Sequence, residues 1–284
     1  MGGIPTDAEV AHFRLFGFVV LRRFLDPATT GRLRTEVEWA LRDAYGERFE
    51  ERVDTGGIAG HYLPMMAAST PVSQGLVADD SGLLAAAETL LGRSVLPDHA
   101  EGILYFKHAA WHFDDGIGVD GMKFSVYLEQ LDASNGALRL LPGSHDRELH
   151  ARLRGYVRAY LRASGELDMP SHVAGMPGYV AGTQPGDVIA FHSATWHCSY
   201  GGTDRLAWTI GYLPDPASPE ERAKFTEWMR DTCDPGGRSY ERGRYPLYRD
   251  WVAGADRHPL RSRVVARLRE LGVFELAAED TDAQ

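Results

Sequence analysis

Residues 111–114 read Trp-His-Phe-Asp, and residues 196–199 read Trp-His-Cys-Ser. In an extended strand, residues i and i+2 point to the same face, so His112 and Asp114 can reach one point in space. A histidine on a distant strand, His197, would add a second imidazole. Two imidazoles and one carboxylate form the facial triad that holds non-haem Fe(II) and leaves coordination positions open. The two stretches therefore predict a metal site, and a fold that brings two distant strands together.

The His-x-acid pattern is weak evidence when it is taken alone. With 11 histidines and 40 acidic residues in 284 positions, chance supplies one or two such pairs, and His99 with Glu101 is a second one. His192 competes with His197 for the role of the second imidazole, because it directly follows a predicted strand. The surrounding sequence has to decide between these candidates.

The composition is that of an ordinary globular protein, with 44% hydrophobic and 25% charged residues. No apolar run approaches the ~20 residues that a membrane-spanning helix needs. The net charge of −10 argues against a nucleic-acid partner, because phosphate binding requires a basic surface. Two cysteines, Cys198 and Cys233, favour a reducing, cytoplasmic setting. We therefore expect a small-molecule substrate and neither a nucleic acid nor a membrane as partner, and the oligomeric state stays unknown.

The first hundred residues read mainly as helices. Helical spacing predicts helices at 8–16, from 27 onward and at 81–91, with one short strand at 17–21. Residues 54–74 lose this periodicity and are rich in Gly and Pro, yet they contain Tyr62, Met65 and Met66. A long irregular segment with large apolar side chains predicts a lid over the substrate side of a binding site, with a packed connection as the alternative.

The middle of the chain changes to short strands separated by turn residues such as Asn-Gly and Pro-Gly, a pattern typical of a sandwich or barrel. The predicted strands are 104–106, 124–128, 137–141, 188–191 and 206–213, and helices return at 219–230 and 260–271. We expect a mainly β fold with flanking helices in a single domain, 1–284. It would comprise a helical N-terminal flank (1–100), a β core (101–213) and a helical C-terminal flank (214–284).

The order of these motifs resembles the phytanoyl-CoA dioxygenase family of Fe(II)/2-oxoglutarate oxygenases. The matching pieces are residues 111–114, 121–128, 135–145, 185–192, 196–202 and Arg205. The resemblance covers roughly residues 102–213 and implies a double-stranded β-helix core of the jelly-roll, cupin-like kind. It also implies Fe(II), with 2-oxoglutarate and O2 as cosubstrates, and it assigns the metal to His112, Asp114 and His197.

The resemblance also suggests which residues bind 2-oxoglutarate. Arg205 stands where the family keeps the arginine for the C5 carboxylate, and arginine binds a carboxylate better than lysine because it can do so with two parallel hydrogen bonds. Ser199 shares the face of His197 and could add a hydroxyl contact. Lys123 is either a second cationic contact or a solvated strand end. Many relatives carry a hydroxyl residue two positions after the arginine, where this chain has Ala207, so cosubstrate binding could depend on Ser199, Thr209 or another group.

The implied function is oxidation of a small molecule, with hydroxylation as the default outcome and desaturation, epoxidation or ketone formation as alternatives. Asp114 excludes halogenation, because related halogenases keep a small residue there to admit chloride. High Ala, Arg and Gly usage is typical of a high-GC bacterium, and because enzymes of the family that this chain resembles often modify natural products there, the resemblance suggests a role in natural-product biosynthesis. Two other classes stay open: a metal-dependent cupin enzyme that does not use 2-oxoglutarate, and a non-enzymatic ligand-binding barrel. Arg205 and Ser199 speak against the former, and the intact metal triad against the latter.

Overall fold

The computed structural model of the chain describes residues 2–51, 60–79, 82–164, 176–233 and 249–279. The strands, in chain order, are β1 (Phe18–Leu21), β2 (Gly60–Pro64), β3 (Val95–Tyr105), β4 (Ala109–His112), β5 (Met122–Tyr127), β6 (Leu138–Leu140), β7 (Tyr179–Ala181), β8 (Val188–His192), β9 (His197–Ser199) and β10 (Arg205–Pro214). The helices are α1 (Asp7–Phe16), α2 (Pro27–Tyr45), α3 (Pro71–Ala78), α4 (Leu83–Leu91), α5 (Arg147–Ser164), α6 (Pro219–Cys233), α7 (Arg249–Ala253), α8 (Pro259–Glu270) and α9 (Val273–Glu279).

The described strands form two antiparallel sheets. The larger sheet has six strands in the order β1-β8-β5-β10-β3-β2, and the smaller has four in the order β4-β9-β6-β7. Residues from both sheets line one cavity, so the sheets face each other across it. The expected mainly β core with flanking helices is confirmed, and the two facing sheets are those of a double-stranded β-helix that is not closed into a barrel.

Local sequence explains where the first two helices begin and end. The Thr6 hydroxyl accepts a hydrogen bond from the backbone N–H of Glu9 at 3.3 Å, and the Glu9 carboxylate accepts one from the Thr6 N–H at 2.8 Å. This reciprocal capping box starts α1, and Gly17, with φ of 81°, ends it. The Asp26 carboxylate caps α2 by accepting from the Thr29 N–H at 2.9 Å.

Strand β10 lies near the middle of the larger sheet and is buried along its whole length. Its even-numbered side chains point away from the cavity. The Trp208 indole N–H donates to the Ser73 hydroxyl oxygen at 2.7 Å, and the Tyr212 hydroxyl donates to the Val77 carbonyl oxygen at 2.6 Å. Arg205 and Gly211, at odd-numbered positions, line the cavity, because successive side chains of a strand alternate between the two faces. Strand β10 therefore contacts α3 on one face and forms part of the cavity wall on the other.

Helix α2 packs against β3 through an apolar face. Leu33, Val37 and Leu41 are fully buried along one side of the helix. Gly102 of β3 permits the close approach, because a Cβ at this position would lie 3.0 Å from Val37 and 3.1 Å from the Met65 sulfur. Helix and strand therefore pack with the backbone of β3 in direct contact with the α2 side chains.

The prediction of an irregular segment over residues 54–74 is wrong for residues 60–64 and 71–74, whereas residues 65–70 form neither helix nor strand. Residues 60–64 form β2, which pairs with β3, and α3 begins at Pro71. Met65 and Met66 are fully buried, so they are permanent core residues rather than a lid. Tyr62 is the described residue of this segment that lines the cavity. Residues 54–59 lie outside the described residues.

Three further differences concern the position, the pairing and the number of the elements. Strand β3 begins at Val95, so the predicted boundary between flank and core at residue 101 falls inside a strand. Strand β1 also joins the larger sheet, with Phe18 opposite Phe191 of β8. Helix α5 is absent from the prediction. The larger sheet therefore includes strands from residues 1–100, which the sequence pattern describes mainly as helical.

Among the helices of the described residues, none combines the length and the apolar character that crossing a bilayer would require.

The two interpretations of residues 54–74, a lid or a packed connection, predict different effects of truncating the buried Met65. We expect Met65→Ala to lower the free energy of unfolding by about 2–5 kcal/mol, because it leaves a cavity in the core. Urea denaturation followed by circular dichroism measures this change. Leu15→Ala is the matched control, since Leu15 is 66% exposed and its truncation should change stability by less than about 0.5 kcal/mol. Equal stability of the wild type and the Met65 variant would contradict the core assignment.

Candidate metal centre

His112 ends β4 and His197 begins β9, and the two residues are paired in register between these strands. Their ring centroids are 4.1 Å apart. Asp114 lies beyond the end of β4, where its backbone N–H donates to the Ser193 carbonyl oxygen at 2.9 Å. The structure therefore brings the three predicted ligands together, although the carboxylate comes from a loop rather than from the strand itself.

The donor atoms of these three side chains converge. Oδ1 of Asp114 lies 3.9 Å from Nε2 of His112 and 3.8 Å from Nε2 of His197. One donor atom from each residue lies within 4.8 Å of the other two, and the described part of the chain contains no other such group of His, Cys, Asp or Glu. The donor set is that of a non-haem Fe(II) facial triad.

Backbone contacts fix which nitrogen of each imidazole is available to a metal. Nδ1 of His112 lies 2.8 Å from the Ala110 carbonyl oxygen, and Nδ1 of His197 lies 2.9 Å from the Thr195 carbonyl oxygen. Because a carbonyl oxygen only accepts, each Nδ1 carries the proton and each Nε2 presents its lone pair to the shared point. Burial, together with the neighbouring His112, lowers the pKa of His197 to about 3, which keeps this ligand neutral.

The second oxygen of Asp114 is held by Lys123. The Lys123 ammonium lies 2.9 Å from Oδ2 of Asp114, which turns Oδ1 toward the two imidazoles. Burial alone would raise the pKa of the Asp114 carboxyl, but Lys123, followed by the two histidines, lowers it well below its usual range. Lys123 therefore keeps the carboxylate ionised and oriented.

The competing histidines lie elsewhere. Nε2 of His192 is 4.0 Å from Oδ1 of Asp120, and burial lowers the pKa of His192 to about 4. His99 and Glu101 line the same cavity as the triad but do not belong to the group of converging donors. Neither alternative assembles a carboxylate and two imidazoles around one point.

Arg205 lies in the wall of the same cavity, which has a volume of about 700 Å³. Its side chain is 2% exposed; Nη1 donates to the Gly136 carbonyl oxygen at 3.0 Å, and Nη2 donates to the Lys107 carbonyl oxygen at 2.6 Å. Nε has no hydrogen-bond partner, and no carboxylate lies within ion-pair distance among the described residues. A buried guanidinium without a counter-ion is suited to binding an anion, since an unpaired buried charge is costly.

The remaining predicted cosubstrate residues divide between two regions. Ser199 is buried on β9 and lines the cavity. Lys123 lies opposite Gly211 in register, whereas Arg205 lies at the other end of β10, so Lys123 is placed at the Asp114 carboxylate instead of beside Arg205.

Tyr127 is a functional candidate that the sequence analysis missed. It faces Ala207 in register and lines the cavity, and the Arg205 guanidinium opposes the rise in pKa that burial causes at its hydroxyl. A tyrosine from β5 thus supplies a hydroxyl near the place where Ala207 lacks one. Its alternation with Lys123 along β5 is the signal that could have identified it.

Comparison with known proteins places these residues in a family context. The model of the family described as phytanoyl-CoA dioxygenase (PhyH) matches residues 13–205. The ectoine dioxygenase of Bordetella parapertussis is 29% identical over 150 residues, which cover 48% of this chain and 48% of that protein. The match therefore spans about half the length of that relative. The L-proline trans-4-hydroxylase of Streptomyces griseoviridis is 27% identical over 221 residues and covers 69% of this chain and 81% of that protein.

The solved structures support the fold. HygX from Streptomyces hygroscopicus, with nickel and 2-oxoglutarate bound, superposes with a TM-score of 0.57 at 20% identity and covers 74% of this chain and 87% of that chain. At this identity the similarity concerns the fold alone, and it confirms the double-stranded β-helix expected from the sequence.

The contact between Lys123 and Asp114 predicts how metal binding depends on pH. In Lys123→Met, burial of Asp114 is no longer offset, so the pKa of the carboxyl rises and protons compete with the metal at higher pH. We expect the pH midpoint of Co(II) binding to move upward by about one unit, while Lys123→Arg keeps the wild-type midpoint. Competition titrations between pH ~5 and ~8 measure it, with the exposed Lys224→Met as control. An unchanged midpoint, together with weaker 2-oxoglutarate binding, would instead make Lys123 a cosubstrate contact.

Proposed function

This chain belongs to the phytanoyl-CoA dioxygenase family, and from that premise we propose that it is an Fe(II)- and 2-oxoglutarate-dependent dioxygenase that hydroxylates a small molecule. The observation that carries the proposal is the convergence of His112, Asp114 and His197 in a cavity that also contains a buried, uncompensated Arg205. When bound, Fe(II) with 2-oxoglutarate and O2 supplies the oxidation, in which a substrate C–H bond becomes C–OH and 2-oxoglutarate leaves as succinate and CO2.

The residues of the chain fit these groups. Nε2 of His112, Nε2 of His197 and Oδ1 of Asp114 would hold Fe(II), because their other polar atoms are already engaged by backbone carbonyls and by Lys123. Arg205 would bind the C5 carboxylate of 2-oxoglutarate, and the two carbonyl oxygens that hold its Nη atoms fix the plane of the guanidinium. These contacts orient the binding groups before any ligand enters.

Ser199 extends the proposed cosubstrate site. It follows His197 at i+2 on β9, and it is paired in register with Leu138 of β6 and Ala109 of β4. Its hydroxyl therefore faces the cavity between the metal triad and the strand that carries Arg205. A hydroxyl in this place can donate to a carboxylate, which suits the anion that Arg205 would bind.

Each of the two alternative functions leaves one feature of the site without a role. A metal-dependent cupin that does not use 2-oxoglutarate has no need for a buried guanidinium without a counter-ion. A non-enzymatic barrel has no need for two imidazoles whose Nδ1 protons are both fixed by backbone carbonyls. The oxygenase uses both features, and it is the function that these residues favour.

The relatives are named for small substrates, ectoine and L-proline, and we extend a small-molecule substrate to this chain. A cytoplasmic setting, a role in natural-product biosynthesis, the absence of a nucleic-acid partner and a single oxygenase domain over residues 1–284 belong to the same proposal. They rest on the composition and on the order of elements along the chain.

The first test concerns the metal. Removal of metal with a chelator should abolish succinate formation from 2-oxoglutarate, and Fe(II) should restore it. Asp114→Ala should bind Fe(II) at least tenfold more weakly and release no succinate above background, because it removes a ligand. Asp120→Ala, which removes a nearby 58% exposed carboxylate, should retain activity. Succinate release by the Asp114 variant at the wild-type rate would contradict the proposal.

The second test concerns Arg205. Arg205→Met should raise the concentration of 2-oxoglutarate needed for half-maximal turnover by about 10- to 100-fold, because a charge-assisted ion pair is lost. Fe(II) binding should persist, and Arg205→Lys should recover part of the loss. Thermal unfolding of each variant checks that the carbonyl oxygens left without a donor have not destabilised the fold. An unchanged requirement for 2-oxoglutarate would favour the cupin alternative.

A further inference from the structure

The loop between β4 and β5 contains one of the three metal ligands, yet it forms neither helix nor strand. Asp114 lies near its start, and Gly116 and Ile117 line the cavity beside it. The register of a sheet therefore does not determine where Asp114 lies. Because a ligand has to be held within about 0.5 Å of its productive position, other contacts have to fix this loop.

Both ends of the loop are joined to one residue, Ser193, in the turn between β8 and β9. The Ser193 carbonyl oxygen accepts from the backbone N–H groups of Asp114 at 2.9 Å and of Asp115 at 3.0 Å. The Ser193 N–H donates to the carbonyl oxygen of Gly121 at 2.9 Å. The ends of the loop are therefore held together, and the backbone N–H groups between them need acceptors of their own.

The Asp115 carboxylate provides these acceptors. Its Oδ1 accepts from the backbone N–H groups of Ile117 at 3.1 Å, Gly118 at 2.6 Å and Val119 at 3.3 Å. Its Oδ2 accepts from the N–H of Asp120 at 3.1 Å. Four consecutive N–H groups thus point at one side chain. A carboxylate suits this position because it has two acceptor oxygens and no donor.

The backbone conformation of the loop depends on the same contacts. Gly118 and Asp120 have φ of 82° and 55°, in the left-handed region that residues other than glycine rarely adopt. Such a conformation at a residue like Asp120 persists where the surrounding structure enforces it. Both residues donate their N–H groups to Asp115, so its carboxylate stabilises the turns that the loop makes.

Asp115 is a buried acid that the metal centre does not use as a ligand. It is 6% exposed, it is not among the residues that line the cavity, and it does not belong to the converging donors of the described residues. Asp114 precedes it directly, so a shift of the backbone at Asp115 also displaces the Cα of Asp114. The position of the metal carboxylate is therefore linked to the contacts of its neighbour.

We propose that Asp115 is a positioning residue of the metal centre, whose carboxylate fixes the loop that holds Asp114 beside His112 and His197. This inference rests on the metal site of the proposed function. Lys123 restrains one oxygen of Asp114, whereas Asp115 restrains the backbone that carries it. Without the Asp115 carboxylate, a metal ion would have to order the loop when it binds, and the entropic cost of this ordering would weaken its affinity.

Titration of the metal-free protein with Co(II) tests the proposal. Asp115→Ala removes both acceptor oxygens and should raise the dissociation constant about 10- to 100-fold, the range expected when a residue that orients a metal ligand is replaced. Asp115→Asn keeps one acceptor oxygen and nearly the same volume, so its loss should fall toward the lower end of that range. Circular dichroism shows whether each variant is folded, and Asp115→Asn carries the test where Asp115→Ala does not fold.

A double-mutant cycle distinguishes positioning from a general loss of stability. In the Asp114→Ala background the ligand that Asp115 positions is absent, so either Asp115 substitution should change the Co(II) dissociation constant by less than about threefold. Partial unfolding, or a direct effect of the Asp115 charge on the metal, would instead weaken binding by the same factor in both backgrounds.

Asp146→Ala is the matched control. The Asp146 carboxylate also accepts from two backbone N–H groups, those of Glu148 and Leu149 at 3.0 Å each, but it does so at the exposed start of α5. This variant should bind Co(II) as the wild type does. Wild-type affinity of every folded Asp115 variant, an equal loss in the Asp114→Ala background, or an equal loss in the Asp146 variant would each overturn the proposal.

Failure of the proposed function is recognised separately. Wild-type Co(II) affinity of Asp114→Ala would show that the metal does not bind at this centre, and it would overturn the metal site and the role of Asp115 together. Absence of succinate formation, combined with the expected Co(II) affinities, would overturn the oxygenase and still support the role of Asp115.

Discussion

The burial of β10 on both faces is the constraint on which the rest of the structure depends. Its outer face is anchored by hydrogen bonds from Trp208 and Tyr212 to α3, and its inner face carries Arg205 and Gly211. A shift of one residue in register would exchange these faces. The guanidinium would then enter the apolar layer and the indole would fill the cavity. The packing of α3 against the sheet and the position of the site therefore both depend on the register of β10 with its neighbouring strands.

The metal ligands could be predicted because the evidence for them is local. The spacing of His112 and Asp114 restricts both to one side of the chain, and the ordered motifs identify His197 as their partner. Strand alternation nevertheless describes only part of the geometry, since Asp114 lies in a loop whose position is fixed by the Ser193 carbonyl oxygen. The sequence pattern predicts the three residues that the structure brings together, whereas the contact that positions the carboxylate does not follow from it.

Features that depend on distant partners could not be predicted. Helix α3 is capped by Glu36 of α2, whose carboxylate accepts from the backbone N–H groups of Val72 and Ser73 at 2.8 Å each. Nothing within residues 60–78 reveals this cap, so the segment reads as irregular. The bulge at Asp98 and His99 of β3, where the pairing with β10 shifts between Ile210 and Tyr212, likewise exists only in relation to β10. Both features are properties of pairs of elements, and a single-sequence pattern describes one element at a time.

The charges of the cavity are separated along β10. At one end, Arg205 is a buried cation without a carboxylate partner among the described residues; at the other, Asp98 and Glu101 share the imidazole of His99. An anion is therefore stabilised at the first end, whereas the second end already contains charges of both signs. In the oxygenase that we propose, this difference would direct the C5 carboxylate of 2-oxoglutarate to the end of the cavity that Arg205 lines.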